Sequence, residues 1–214
     1  ASLLDSRPAA EWRDYLAARL LDDYAPYLAR DFVDAHFDFN QRTLRGTPEL
    51  RPRWRRAVSE VNRGMGFAVG REYVARHFPP EAKARVDALV RNLLEAMAVG
   101  IDELDWMSAP TRVEAQAKLA KVRVKIGYPS RWRDYAGLEI RADDLVGNVM
   151  RATRFEGQRQ LAQLGGPVDR DEWLMTPQTV NAYYLPTANE IVFPAAILRP
   201  PFFHFDAEDA VNYG

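Results

Sequence analysis

Cysteine is absent from the 214-residue chain, which excludes a disulfide scaffold, a thiolate-ligated zinc and a cysteine nucleophile together. Histidine is scarce as well: His36, His77 and His204 are the only three. A helical zinc pair needs ligands at i and i+4 so that both leave one face, and no two of these histidines have that spacing. Neighbours such as His36-Phe37-Asp38 and His204-Phe205-Asp206 do not converge on one ion, so a structural or surface role is expected for each. Neither sign of charge is in excess: 29 Lys and Arg face 30 Asp and Glu, for a formal net charge of −1. A dedicated nucleic-acid binder rests on surplus cations opposite phosphates, so the balanced charge argues against that class. No apolar run approaches the ~20 residues of a membrane span. G-x-S-x-G, P-loop and G-x-G-x-x-G motifs are missing too. Gly64-Met65-Gly66 comes nearest, without the preceding strand that a phosphate-binding turn requires.

What is present suffices for a core. Hydrophobic residues make up 47% of the chain and charged residues 28%, the proportions of a globular protein of one or two domains. Ser6 and Pro8 signal a helix start, and Trp12, Tyr15, Leu16 and Leu20 recur at helical spacing until Pro26. Leu28, Phe32, Ala35 and Phe39 form a second stripe. Thr47-Pro48 predicts the opening of a longer helix carrying Trp54, Val58, Val61, Met65 and Val69, ended by Pro79-Pro80. The stripe from Val86 to Leu104 suits the inside of a helix bundle. Further helices are predicted from Pro110 toward Val122 and from Asp143 to Leu164, the last stopped by Gly165-Gly166-Pro167. The texture then changes. Thr179–Tyr184 and Glu190–Phe193 predict two short strands, and a proline-rich apolar segment, Pro194 to Phe203, follows them.

Three constellations could carry chemistry. Arg51-Pro52-Arg53-Trp54-Arg55-Arg56 is either a phosphate-binding patch with a stacking aromatic or a solvated helix face around one buried Trp, and the balanced overall charge favours the latter. Asp169, Asp171 and Glu172 are either general acid/base groups or turn and cap residues beside the glycines, with the second reading ahead. The third is Val180-Asn181-Ala182-Tyr183-Tyr184. An Asn at a sheet edge offers both a donor and an acceptor to the main chain of an extended peptide, and the apolar segment after it could wall a side-chain pocket. A core hairpin followed by a packed loop is the competing reading.

The residues of this third constellation resemble the region of the neprilysin and endothelin-converting-enzyme family of zinc metallopeptidases that lies just upstream of its zinc helix. Further landmarks occur in family order: Arg53-Trp54, Val69 to Val74, Leu104 to Met107, Lys125 to Pro129, and Val168 to Trp173. The resemblance implies a mainly α chain, with a helical-bundle domain followed by the first short β-strands of a thermolysin-like α+β catalytic domain. Residues 1–40 are expected to be a helical segment packing on the catalytic domain, 41–168 a helical domain capping the active site, and 169–214 the start of the catalytic domain. It implies that Asn181 and Ala182 bind the substrate main chain, that Tyr183 borders the pocket on the amino side of the scissile bond, and that Ile197 and Phe202 line the specificity pocket beyond it. Ala196 stands where relatives carry Gly.

Family members continue into a helix bearing H-E-x-x-H, and none of that zinc and general-base machinery is among these 214 residues. The expectation is an endopeptidase for short peptides that is zinc-dependent as the intact protein, while this segment alone binds no zinc, has no catalytic residue and is inactive. Its expected partners are a peptide substrate and the missing catalytic part of the same protein, with no nucleic acid and no membrane contact. Ile191, Phe193, Ile197, Leu198, Phe202 and Phe203 are expected to face that missing part and, in isolation, to drive self-association. The rival expectation is a non-catalytic peptide-binding module. Twenty-five arginines against four lysines suggest a bacterial genome, and a periplasmic or secreted location stands ahead of a cytoplasmic one.

Overall fold

The computed structural model describes residues 5–213. Residues 1–4 and Gly214, the outer ends of the predicted 1–40 and 169–214 segments, lie outside them. The described elements in chain order are α1 (Ala9–Tyr24), a 3-10 turn (Ala25–Tyr27), α2 (Arg30–Phe37), a π-helical turn (Asp38–Thr43), α3 (Arg53–His77), α4 (Pro80–Asp102), α5 (Ala109–Ala120), β1 (Arg123–Gly127), α6 (Leu145–Leu161), β2 (Tyr183–Leu185), β3 (Glu190–Pro194) and α7 (Asp209–Tyr213). The fold is thus mainly α with one small sheet. The chain divides into two compact units. One comprises the residues up to Gly64 and Ala136–Ala162, and the other comprises Met65–Tyr135 and the residues from Gln163 onward.

In the first unit, Pro8 stands at the cap of α1 and its carbonyl accepts the Glu11 N–H at 3.0 Å, an arrangement that the missing proline N–H does not disturb. Pro26 converts the end of that helix into the 3-10 turn. After α2 the backbone widens into the π turn, and Gly46, at φ 68°, closes it. There the Gly46 N–H reaches the Arg42 carbonyl and the Thr47 N–H the Gln41 carbonyl. That closure uses the residues where the sequence predicts a helix start, so α3 begins at Arg53 instead of Thr47-Pro48. Asp144 caps α6 by accepting the Gly147 N–H at 2.9 Å and pairs with Arg151 at 3.0 Å. The helical stripes are real, but much of their apolar surface is open: Tyr15, Leu16, Leu20, Trp54, Val58 and Val61 are all more than half exposed.

The second unit holds the sheet, in the order β1-β3-β2. The two strands that the sequence predicts pair antiparallel as β2 and β3, with Tyr183 opposite Val192 and Leu185 opposite Glu190, although β2 starts at Tyr183 and not at the expected Thr179. β1 is a strand that the sequence does not predict. It pairs parallel to β3, with Arg123 opposite Glu190 and Gly127 opposite Pro194. The helix α4 presents Val86 and Val90 to Ile126 and Phe203, forming one apolar cluster, on which Val124, Ile191, Phe193 and Leu198 also pack. Burying side chains of this size is worth roughly 1.5–3 kcal/mol each. A second cluster joins Phe67, Trp173 and Val192, with Tyr135 and Tyr183 against it. A third joins Phe78, Ala82 and Ala195.

Candidate functional site

The open edge of the sheet is the strongest candidate. β2 pairs with β3 on one side and has no strand on its other side among the described residues. Asn181 and Ala182 immediately precede it and are exposed, while Tyr183, its first residue, is half-buried. The extended chain leading to this edge is held by α3. Two glycines one turn apart, Gly66 and Gly70, let the 176–178 segment lie directly on the helix backbone. A Cβ at Gly66 would come within 2.7 Å of Thr176 Cγ2, and one at Gly70 within 2.6 Å of Pro177 Cδ. The Gln178 side-chain amide then donates to the Gly66 carbonyl at 2.9 Å. The Ala196 N–H donates to the Pro177 carbonyl, also at 2.9 Å, which ties the same segment to the turn after β3.

Tyr183 is fixed at both ends. Its ring packs on the Phe67, Trp173 and Val192 cluster, and its hydroxyl oxygen accepts the Leu174 N–H at 3.1 Å. Burial pushes this phenol up from its ordinary value, with the Glu190 and Glu172 charges adding to the shift and the Leu174 hydrogen bond opposing it, so the side chain is neutral at physiological pH. At Asn181 the side-chain oxygen accepts the Ala182 N–H at 2.8 Å, and the Asn181 N–H donates to the Thr179 carbonyl at 3.1 Å. The edge therefore presents an Asn whose side-chain oxygen accepts from its own chain.

Ile197 and Phe202 lie on the turns that follow β3. Ile197 is half-buried and its N–H reaches the Pro194 carbonyl at 3.2 Å; Phe202 is 65% exposed. Among the described residues no hydrogen bond joins either of them to Asn181 or Ala182. The expected apolar patch needs correction at its centre. Phe203 is only 5% exposed and belongs to the Val86, Val90 and Ile126 cluster, on which Ile191, Phe193 and Leu198 pack. In this strongly apolar run the backbone turns one phenylalanine inward and leaves its neighbour outside.

Beneath the edge lies a buried ion pair that the sequence reading misses. Lys125 Nζ donates to Glu190 Oε1 at 2.9 Å and to the Glu172 carbonyl at 2.8 Å, and the two side chains are 9% and 2% exposed. Glu190 Oε2 is buried without a hydrogen-bond partner. The only sequence signal is the alternation Arg123-Val124-Lys125-Ile126, a period of two that a helical expectation hides. The acidic cluster resolves toward structure: Asp169 pairs with Arg131 at 2.9 Å and accepts the Asp171 N–H, Asp171 pairs with Arg123, and Glu172 pairs with Arg133.

Zinc does not fit the donors present. Among the described residues no three His, Asp or Glu are placed to hold a metal ion. His36 lies 3.7 Å from Asp22, the His77 ring packs 5.0 Å from that of Tyr73, and His204 exchanges main-chain hydrogen bonds with the Asn212 side chain. No chemical step is routed through a metal here. Among the described residues no helix is long and apolar enough to cross a membrane.

Comparison with known proteins gives concordant matches. Models described as peptidase family M13 match residues 1–129 and 181–214. Membrane metallo-endopeptidase-like 1 of Mus musculus is 34% identical across 99% of this chain, and neprilysin of Homo sapiens is 33% identical across 99%. The chain spans 29% of the length of each of these two relatives. The crystal structure of Mycobacterium tuberculosis zinc metalloprotease Zmp1 in complex with an inhibitor superposes with a TM-score of 0.90 at 55% identity, over 99% of this chain and 32% of that one.

Proposed function

The chain belongs to peptidase family M13, and from that premise we propose that it supplies the substrate-binding edge and part of the helical lid of a zinc metalloendopeptidase that hydrolyses short peptides. The observation that carries this reading is the unpaired edge of β2 with Asn181 and Ala182 exposed ahead of it. An extended peptide adds to such an edge through main-chain hydrogen bonds, and pockets for alternate side chains give specificity. In this role the Asn181 amide donates to a substrate carbonyl and its oxygen leaves the Ala182 N–H to accept a substrate N–H. Tyr183 walls the pocket on the amino side of the scissile bond, and Ile197 and Phe202 contact the side chain beyond it. Residues 41–168 form the cap over the active site, residues 169–214 open the catalytic domain, and residues 1–40 pack on that domain.

The zinc ligands and general base belong, on this reading, to the remainder of the intact protein, and the 214-residue chain alone cleaves nothing. A periplasmic or secreted location of the intact enzyme is kept ahead of a cytoplasmic one; one relative's name carries the word membrane. Asn181→Ala in the intact protein is expected to lower kcat/KM for short peptides by roughly 10- to 100-fold, the worth of one or two main-chain hydrogen bonds. An unchanged kcat/KM would remove the edge from the substrate site. The alternative, a non-catalytic peptide-binding module, would bind the same peptides with the same Asn181 dependence while the intact protein, loaded with zinc, failed to hydrolyse them.

A further inference from the structure

We propose that the first unit carries a second binding site, for a small organic oxyanion with an apolar body, in the cavity at the start of α3. The cavity measures about 840 Å³ and lies wholly within that unit, a size typical of small-molecule pockets. Val33, Phe37, Leu50 and Val61 contribute apolar walls, and four arginines, Arg45, Arg51, Arg53 and Arg56, share the lining. Among the described residues none of these four makes an ion pair with a carboxylate, whereas nearby Arg42 pairs with Asp38 and Arg63 with Glu60. Arg56 spends its Nε on the Arg51 carbonyl at 3.2 Å.

The acids on the cavity wall do not balance this charge. Glu60 already holds Arg63 and the Tyr27 hydroxyl, which leaves Glu49 against four guanidinium groups. Three of the four stand at or just before the first turn of α3, whose helical run is broken by a kink at Met65 (φ −137°) and which has no acidic residue in that first turn. The positive end of the helix dipole disfavours cations at that position, and like charges lining one cavity add to that cost, an effect water screens in part because Arg45, Arg51 and Arg53 are exposed. A phosphate or carboxylate relieves both, because guanidinium groups grip such heads in bidentate geometry, and the apolar walls receive the body attached to the head. With the whole chain at net −1, the concentration of positive charge is local and matches a small ligand better than a long polyanion.

Titration calorimetry on the intact protein and on the 214-residue chain tests the site, using phenyl phosphate, benzoate, inorganic phosphate and the uncharged benzyl alcohol as probes. Saturable binding of phenyl phosphate or benzoate is expected, about tenfold or more tighter than inorganic phosphate because of the apolar body, and the tighter of the two identifies the preferred head. Benzyl alcohol should not bind, and added salt should weaken the anions. Arg45→Gln and Arg53→Gln should each weaken the tighter probe roughly tenfold, while Arg13→Gln, on the exposed surface of α1, should leave it unchanged. Arg45 lies outside α3, so its variant decides the matter if Arg53→Gln disturbs the helix. Equal affinity for phenyl phosphate and inorganic phosphate, or indifference to Arg45→Gln, overturns the proposal. So does binding by the 214-residue chain that vanishes in the intact protein, because the cavity is then filled by the protein's own chain.

Discussion

Lys125 and Glu190 are the residues whose chemistry is most at odds with their surroundings. Two opposite charges under 10% exposed lose hydration that their mutual attraction only offsets when the geometry is good, so removing one partner is far costlier than removing both. Lys125→Met or Glu190→Leu alone should destabilise the chain by about 3–5 kcal/mol in urea unfolding, and the double variant should recover most of that loss. A double-variant cost equal to the sum of the two single costs would mean that the pair is not coupled. Tyr27 makes a second test at this scale. Burial, with the Glu60 carboxylate accepting its hydrogen bond at 3.0 Å, pushes its hydroxyl up to about 12 despite the opposing Arg63. Below pH 10 both folded and unfolded chains keep this proton. Between pH 10 and 12 the unfolded chain gives it up first, so stability falls as pH rises through that window. Tyr27→Phe should flatten that part of the alkaline unfolding profile, and an unaltered slope would assign it to other tyrosines. Neither feature is legible in the sequence, because a lysine in a strand and a tyrosine beside a proline do not announce which acid they will meet 65 or 33 residues away.

At the scale of elements, prolines and glycines made most of the helices readable. Pro80, at the first position of α4, both ends one helix and starts the next, and Asp144 fits the predicted opening of α6. The failures have local causes. β1 was hidden because one of its inward residues is the charged Lys125, which breaks the apolar run expected of a buried parallel strand. The start of α3 was misplaced because the closure at Gly46 takes up Thr47. At the candidate site the residue types of Asn181, Ala182 and Tyr183 could be read from one stretch, but the glycines that position them could not, since Gly66 and Gly70 matter only through Thr176 and Pro177, more than a hundred residues on. Gly70→Ala should force the Pro177 ring away from α3, costing about 1–3 kcal/mol and shifting the Asn181 and Ala182 amide resonances. Gly100→Ala meets open space on α4 and should instead stabilise by roughly 0.5–1 kcal/mol. If both variants behaved alike, helix propensity and not the close approach would govern Gly70.

For the molecule as a whole, the surface area carries the argument. The chain exposes 15223 Å², where a folded monomer of 24.4 kDa is expected to expose about 10,000 Å². Two separately folded units of these sizes would still expose only about 12,000 Å², so the excess does not depend on how the units are arranged. A surplus of about 3,000 Å² falls in the range of obligate interfaces, and it is rich in large apolar groups: Trp54, Trp106 and Phe202 are 63%, 77% and 65% exposed. Monomeric proteins rarely leave such surface uncovered. The 214-residue chain alone should therefore associate with itself at micromolar concentration in sedimentation velocity and bind a hydrophobic dye. In the longer protein proposed above, both signals should fall away because the remaining chain would cover these side chains; the relatives that this chain matches are more than three times as long. A chain that sediments as a single monomer over a wide concentration range and leaves the dye dark would show that this surface is stable in water, and the substrate edge would then have to work without a covering half.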